Sequence, residues 1–302
     1  MAFSKLMPDK TAHGLYLVAT PIGNLGDITL RALEVLKCVD RIACEDTRQT
    51  QKLLNHYGVT TPTISYHAHN ERERATELIK MLKNGGSIAV VSDAGMPGIS
   101  DPGGVLVREA IAVDVPVIPI PGANAGLSAL IASGFPADEF HFIGFLPEKA
   151  GARRTRLEAL AAKARETAET IIFYEAPHRI TETLADLEAV FGSSLRVVAA
   201  REITKLHEEF LRGTVSEVRA QLTDRDRVRG EFVLLVEAPK APNAGAVHPG
   251  SDTGETISIR LQRVRLELGL DEKEALKRLA RESGKSKSEL YRELQRERAR
   301  YK

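Results

Sequence analysis

Three groups of polar side chains fall just after stretches that read as β-strands. Glu45, Asp46 and Arg48 stand together in CEDTRQT, Tyr174, Glu175, His178 and Arg179 in FYEAPHR, and Arg201, Glu202 and Lys205 just beyond VVAA. A carboxylate or an imidazole can take or orient a proton. An arginine or lysine can stabilise a developing oxyanion or hold a phosphate. The same residues also have plainer uses: Asp46 or Thr47 suits the N-cap of a helix over 48–57, and Pro177 suits the first turn of another. A fourth segment, SDAGMPGISDPG at 92–103, follows the apolar run SIAVV. Its glycines and prolines make a stiff loop whose backbone can approach a ligand closely. More familiar chemistry is not supported. The chain has no P-loop lysine motif, no His-x-x-x-His pair, no Cys-x-x-Cys and no Gly-x-Ser-x-Gly. Its first strand runs into ATPIGNLGD rather than Gly-x-Gly-x-x-Gly, which argues against a dinucleotide site.

These groups need a frame, and apolar periodicity supplies one. Strands are predicted at 15–20, 41–45, 63–67, 87–93 and 115–122. Helices are predicted between them at 30–39, 47–58, 71–86 and 104–112. Such alternation predicts a parallel sheet covered on both faces, with any ligand at the carboxyl ends of the strands. The unusual segments TPIGNLGD, CEDTRQT, SDAGMPGISDPG and PGANA all fall at those ends. A second α/β unit follows, with strands at 140–147, 170–179, 195–205, 207–214 and 231–239 and helices at 153–166 and 180–192. EITKLHEEFLRGT suits a hairpin, so this sheet is expected to be mixed. The division expected is a flexible tail over 1–13, a first α/β domain over 14–124, a second over 125–239, a linker over 240–256 and a basic helical hairpin over 257–302.

Bulk composition narrows the classes. With 302 residues, 43% hydrophobic and 27% charged, the chain reads as an ordinary globular protein of two domains and an appendage. A formal net charge of +1 excludes a general polycation, so nucleic acid would have to be held by local basic patches. Two cysteines give no disulfide or zinc framework. That cysteine usage fits a reducing cytosol, and no apolar run reaches membrane-spanning length.

Taken in order, LYLVATPIGNLGDITLRALEVL, CEDTRQTQKLLNHYG, SDAGMPGISDPG, PIPGANA, FYEAPHRI and REITKLHEEFLRG closely resemble the ribosomal RNA small subunit methyltransferase I family, within the tetrapyrrole methylase superfamily. The resemblance runs from about Leu15 to Pro239. It implies a homodimer that binds S-adenosylmethionine between two α/β domains, uses no metal, and methylates the ribose 2′-hydroxyl of a decoding-centre cytidine, cytidine 1402, in 16S rRNA. By the same resemblance Ile22, Asp93, Pro97, Asn124, Ala125, Tyr174 and Glu231 are expected at the cofactor. Within that chemistry Glu45, Asp46, Glu175 and His178 are the candidate bases or orienters. Arg48, Arg179, Arg201 and Lys205 are the candidate partners of an alkoxide or a phosphate. RNA contacts are expected from Arg153, Arg154 and Arg156 on one helix, from Arg179 and Arg201, and from the C-terminal hairpin with Lys285 and Lys287. Two other readings fit less of the chain: a small-molecule methylase acting on a corrin-type ring, and a non-catalytic RNA-binding assembly factor.

Overall fold

The computed structural model describes residues 12–164, 169–238, 257, 261, 265, 271–282 and 287–300. The expected tail (but for its last residues) and the linker lie outside these residues. Five parallel strands form the first sheet: β1 (Gly14–Val18), β2 (Arg41–Cys44), β3 (Thr63–Ser65), β4 (Ser87–Val91) and β5 (Val117–Ile120), in the order β3-β2-β4-β1-β5. Helices α1 (Leu30–Cys38), α2 (Thr47–His56), α3 (Glu71–Lys83) and α4 (Gly104–Ala112) connect them. Every residue of β4 is buried, as a central strand covered on both faces requires. On one face Tyr16, Val18, Ile42 and Val91 pack with Val35 and Leu36 of α1 and Leu54 of α2. On the other, Leu15, Ala43, Ile88 and Val90 pack with Leu78 and Leu82 of α3 and Leu106 of α4. Each valine, leucine or isoleucine among these stabilises the fold by about 1.5–3 kcal/mol relative to exposure.

The second sheet comprises β6 (Phe140–Phe145), β7 (Glu169–Glu175), β8 (Arg196–Arg201), β9 (Glu209–Thr214) and β10 (Phe232–Ala238), in the order β6-β7-β10-β8-β9. Only β6 and β7 run parallel. The other pairings are antiparallel, and β8 and β9 form the hairpin expected from the sequence. Helices α6 (Ala150–Ala164) and α7 (Ile180–Phe191) lie near their expected positions. Two further helices do not show in the sequence pattern. The first, α5 (Ala125–Ser133), reads AGLSALIAS, with small and apolar residues on all sides and no polar stripe. It packs Ala129 and Leu130 against Ile172, Val198, Val233 and Leu235 of the second sheet. The second, α8 (Val215–Thr223), starts where β9 stops. Thr214 ends the strand and, with Glu217, closes a capping box.

The C-terminal unit contains helices Glu272–Glu282 and Lys287–Arg300. Leu276, Leu279, Leu290 and Leu294 share a core there with Leu261. Asp271 caps the first of these helices, its carboxylate accepting the Glu274 amide at 2.7 Å.

Candidate active site

The carboxyl ends of β1 and β4 open into two loops that are stitched together. Thr20 and Gly95 exchange backbone hydrogen bonds of 2.9 and 3.1 Å, and the Thr20 hydroxyl donates to the Ser92 carbonyl at 3.1 Å. Ser92 in turn donates to the carbonyls of Ala94 and Gly95, each at 3.2 Å. The Asp46 amide donates to Asp93 Oδ1 at 3.3 Å, which ties the end of β2 to the same loop. Asn124 caps α5 through the Leu127 amide at 2.9 Å. These loops face the end of β7 and the turn after β8 across a cavity of about 380 Å³. That volume is within the usual range for small-molecule sites, of order 300–1,000 Å³.

Ile22, Asp93, Asn124, Ala125, Tyr174 and Glu231, all expected at a cofactor, line this cavity, and so do Glu175 and Lys205. Pro97 is buried and is not part of the lining, which Met96 and Ile99 reach instead. Tyr174 is fixed by edge contacts with Phe142 and Phe145, at centroid distances of 5.0 and 5.7 Å, and burial raises its phenol pKa. Lys205 donates to Glu202 and Glu231, each at 2.8 Å. Burial alone would lower the lysine's pKa, but these two carboxylates outweigh it and raise it. The turn that delivers Lys205 is strained, with Glu202 and Thr204 at φ 52° and 67°. Gly23, at φ 148°, leaves room for the lysine stem: a Cβ there would lie 2.4 Å from Lys205 Cγ.

Other expected site residues are placed elsewhere. Glu45, Asp46, Arg48 and His178 are not part of the cavity lining. Asp46 caps α2, and the Arg48 side chain and amide hold its carboxyl down at about 2. Arg48, 87% exposed, lies along a shallow groove with Gln51 and Lys52. Glu175, expected as a base, is buried and fully engaged. It accepts from the Ala176 amide at 2.8 Å and the Thr183 hydroxyl at 2.7 Å, and it pairs with Arg179 at 3.2 Å. Arg179 also donates to the Leu146 carbonyl at 2.9 Å, so this pair braces β7 against the turn after β6 and is not poised for RNA. Arg201 is bound to Glu209 at 3.0 Å and to the Arg229 carbonyl at 3.1 Å.

Arg153 requires a correction as an RNA contact. It is 2% exposed and donates to Asp186 at 2.7 Å, to Glu182 at 3.3 Å and to the Glu148 carbonyl at 3.3 Å. No phosphate can reach it without opening the fold. Arg154 shares Asp186 at 2.5 Å but is 61% exposed, and Arg156 is exposed. Lys287 opens the last helix, whereas Lys285 lies outside the described residues.

The cavity also holds a group that sequence reasoning passed over. Asp101, in the second half of the same loop, lines it together with Ser100. Burial, then the charges of Glu45 and Asp93, push the Asp101 carboxyl up to about 6, against an opposing hydrogen bond from Ser92. The only sequence signal was a second Ser-Asp step, Ser100-Asp101 after Ser92-Asp93, in a loop already rich in turn residues. Glu175 is offset by Arg179 and Glu231 by Lys205, which leaves Asp93 and Asp101 without a cationic partner among the described residues, so the lining favours a ligand with cationic character. Among the described residues no group of three or more His, Cys, Asp or Glu side chains is placed to hold a metal.

Residues 14–219 match the family model of the Tetrapyrrole (Corrin/Porphyrin) Methylases, which sets the class of this two-sheet α/β protein. Solved structures share the fold. The chain superposes on a diphthine synthase with a TM-score of 0.59 at 15% identity, covering 74% of this chain and 89% of that one. It superposes on a Thermus thermophilus uroporphyrin-III C-methyltransferase, complexed with S-adenyl homocysteine, with a TM-score of 0.51 at 19% identity, covering 74% and 98%. Relatives far more similar in sequence bear the name ribosomal RNA small subunit methyltransferase I. One from Halalkalibacterium halodurans is 48% identical over 92% of this chain and 93% of its own length, and one from Bacillus subtilis is 46% identical over 92% of each. The chain belongs to the ribosomal RNA small subunit methyltransferase I family.

Proposed function

We propose that this protein 2′-O-methylates the ribose of cytidine 1402 in 16S rRNA, using S-adenosylmethionine held in the cavity at the strand ends. The names and high identity of its relatives support the rRNA substrate. The acidic, loop-lined cavity is the observation that carries the location. The residues present suit that donor. Tyr174, Ile22 and Ala125 offer apolar walls, loop backbone at 93–96 offers polar contacts, and the carboxylates complement a sulfonium charge. When bound, S-adenosylmethionine supplies an electrophilic methyl group. The chain's part is to hold the ribose hydroxyl in line with that methyl and to exclude water, which can account for much of the rate without a metal. Asp93 and the 93–96 backbone fix the donor, Tyr174 packs against it, and Lys205 holds the far wall through Glu202 and Glu231.

RNA is held by local basic patches, since the overall charge of +1 gives no general attraction. Arg154 and Arg156 on α6 and the C-terminal hairpin with Lys285 and Lys287 supply them in this reading. The protein acts in the cytoplasm as a homodimer, on the small subunit or its rRNA. The test is transfer of labelled methyl to unmodified small subunits, with mass spectrometry of nuclease fragments. Label on the ribose of cytidine 1402 is the expected result. Label confined to a base, or to a tetrapyrrole offered in competition, overturns the reading.

A further inference from the structure

We infer that Asp101 is the general base that takes the proton of the attacking ribose hydroxyl. The inference rests on the methyl-transfer reading above and assigns a role that reading leaves open. Three observations support it. First, Asp101 lines the cavity, while Glu45 and Asp46 do not. Second, the other carboxylates there are committed: Glu175 to Arg179, Thr183 and an amide, Glu231 to Lys205, and Asp93 to the Asp46 amide. Among the described residues no cation pairs with Asp101. The groups facing it are Glu45 at the end of β2, Ser92 and Asp93 after β4, and Tyr174 of β7, whose phenol feels the Asp101 charge. Third, its position is built in. Ser100 just before it is held at φ 62°, and Gly144 leaves room for the Ser100 hydroxyl, because a Cβ there would lie 2.9 Å from Ser100 Oγ. Downstream, Glu71 Oε1 accepts the Gly103 amide at 3.1 Å and the Tyr66 hydroxyl at 3.0 Å, pinning the loop's exit.

The chemistry balances without a co-reactant. The 2′-oxygen forms a bond to the methyl carbon as the carbon–sulfur bond breaks. That bond's electron pair goes to sulfur, and the hydroxyl proton goes to the Asp101 carboxylate and then to water. A carboxyl raised to about 6 is ionised at neutral pH and is a stronger base than an ordinary aspartate.

Asp101→Asn in the full-length protein tests this, with unmodified small subunits and saturating S-adenosylmethionine in single turnover. The expected result is a fall in rate of about 10²–10⁴-fold at saturating donor, far beyond any change in S-adenosylmethionine affinity read by calorimetry, with partial recovery in Asp101→Glu. The wild-type rate falls about tenfold per pH unit below about pH 6, and the residual Asp101→Asn rate lacks that limb. A merely structural aspartate would not move the pH profile. Wild-type transfer matched by Asp101→Asn overturns the inference alone. Wild-type protein that binds the donor but methylates no rRNA overturns the functional reading and this inference with it.

Discussion

Replacing Arg153 with leucine separates a fold residue from an RNA contact. Arg153 is 2% exposed and its principal partner Asp186 is 3% exposed, so the substitution strands a buried carboxylate. Breaking a buried pair from one side typically costs about 3–5 kcal/mol. Here Arg154 still reaches Asp186 from the surface, which places the expected loss near the lower end, about 3 kcal/mol. For a domain of this size that corresponds to roughly 6–12 °C in Tm. Urea unfolding followed by circular dichroism should show a lower midpoint at an unchanged slope. Arg153→Leu with Asp186→Leu should recover most of the loss, because an apolar pair of similar volume replaces the ionic one. The pH dependence has a definite sign. Burial raises the Asp186 pKa, but hydrogen bonds from Arg154 and Arg153 outweigh it and lower it below its unfolded value. The pair's stabilisation is therefore present above about pH 4 and is lost as pH falls below that, so variant and wild type should converge in acid. Unchanged stability together with weakened rRNA binding would refute this assignment and restore Arg153 to the RNA surface.

Two further outcomes follow from the same geometry. Gly23→Ala places a methyl 2.4 Å from the Lys205 stem at a backbone angle that disfavours it, costing about 1–3 kcal/mol. Calorimetry should find S-adenosylmethionine affinity reduced as the Lys205–Glu231 wall is displaced; unchanged affinity would mean the wall is not part of the donor site. Ending the chain at residue 256 should weaken rRNA binding and flatten its salt dependence while donor affinity stays the same. Equal rRNA affinity at matched salt would remove the C-terminal helices from the footprint.

Much of the frame was legible because burial follows periodicity. The apolar runs at 15–20 and 87–93 could only be central strands, and the glycine- and proline-rich segments after them could only be loops at one rim. Helices α5 and α8 were harder to see. One is too uniformly apolar to show a stripe, and the other begins on the residue that ends a strand. The site was legible at the level of loops and less so at the level of side chains. Ile22, Asn124 and Tyr174, expected at a cofactor, line the cavity. Glu175 and Arg179 have the residue types of catalysis, but three-dimensional pairing turns them inward to brace β7. Charge-bearing types at strand ends serve capping, bracing and chemistry alike, and only partner and burial tell these apart. Asp101 escaped for the opposite reason. Its lack of a cationic partner among the described residues, and the approach of Glu45 from the end of β2, are set by the fold, which spacing along the chain does not encode.

The central claim, that the cavity at the strand ends holds the methyl donor, is tested most directly by titrating S-adenosylmethionine into wild type and Ala94→Trp by calorimetry. Ala94 is exposed and lines the cavity, so an indole there occupies the donor's space without disturbing the core. The account predicts saturable binding at one site per chain in wild type, and at least a tenfold loss in the variant, about 1.4 kcal/mol, at an unchanged Tm. Equal binding by both proteins would contradict it.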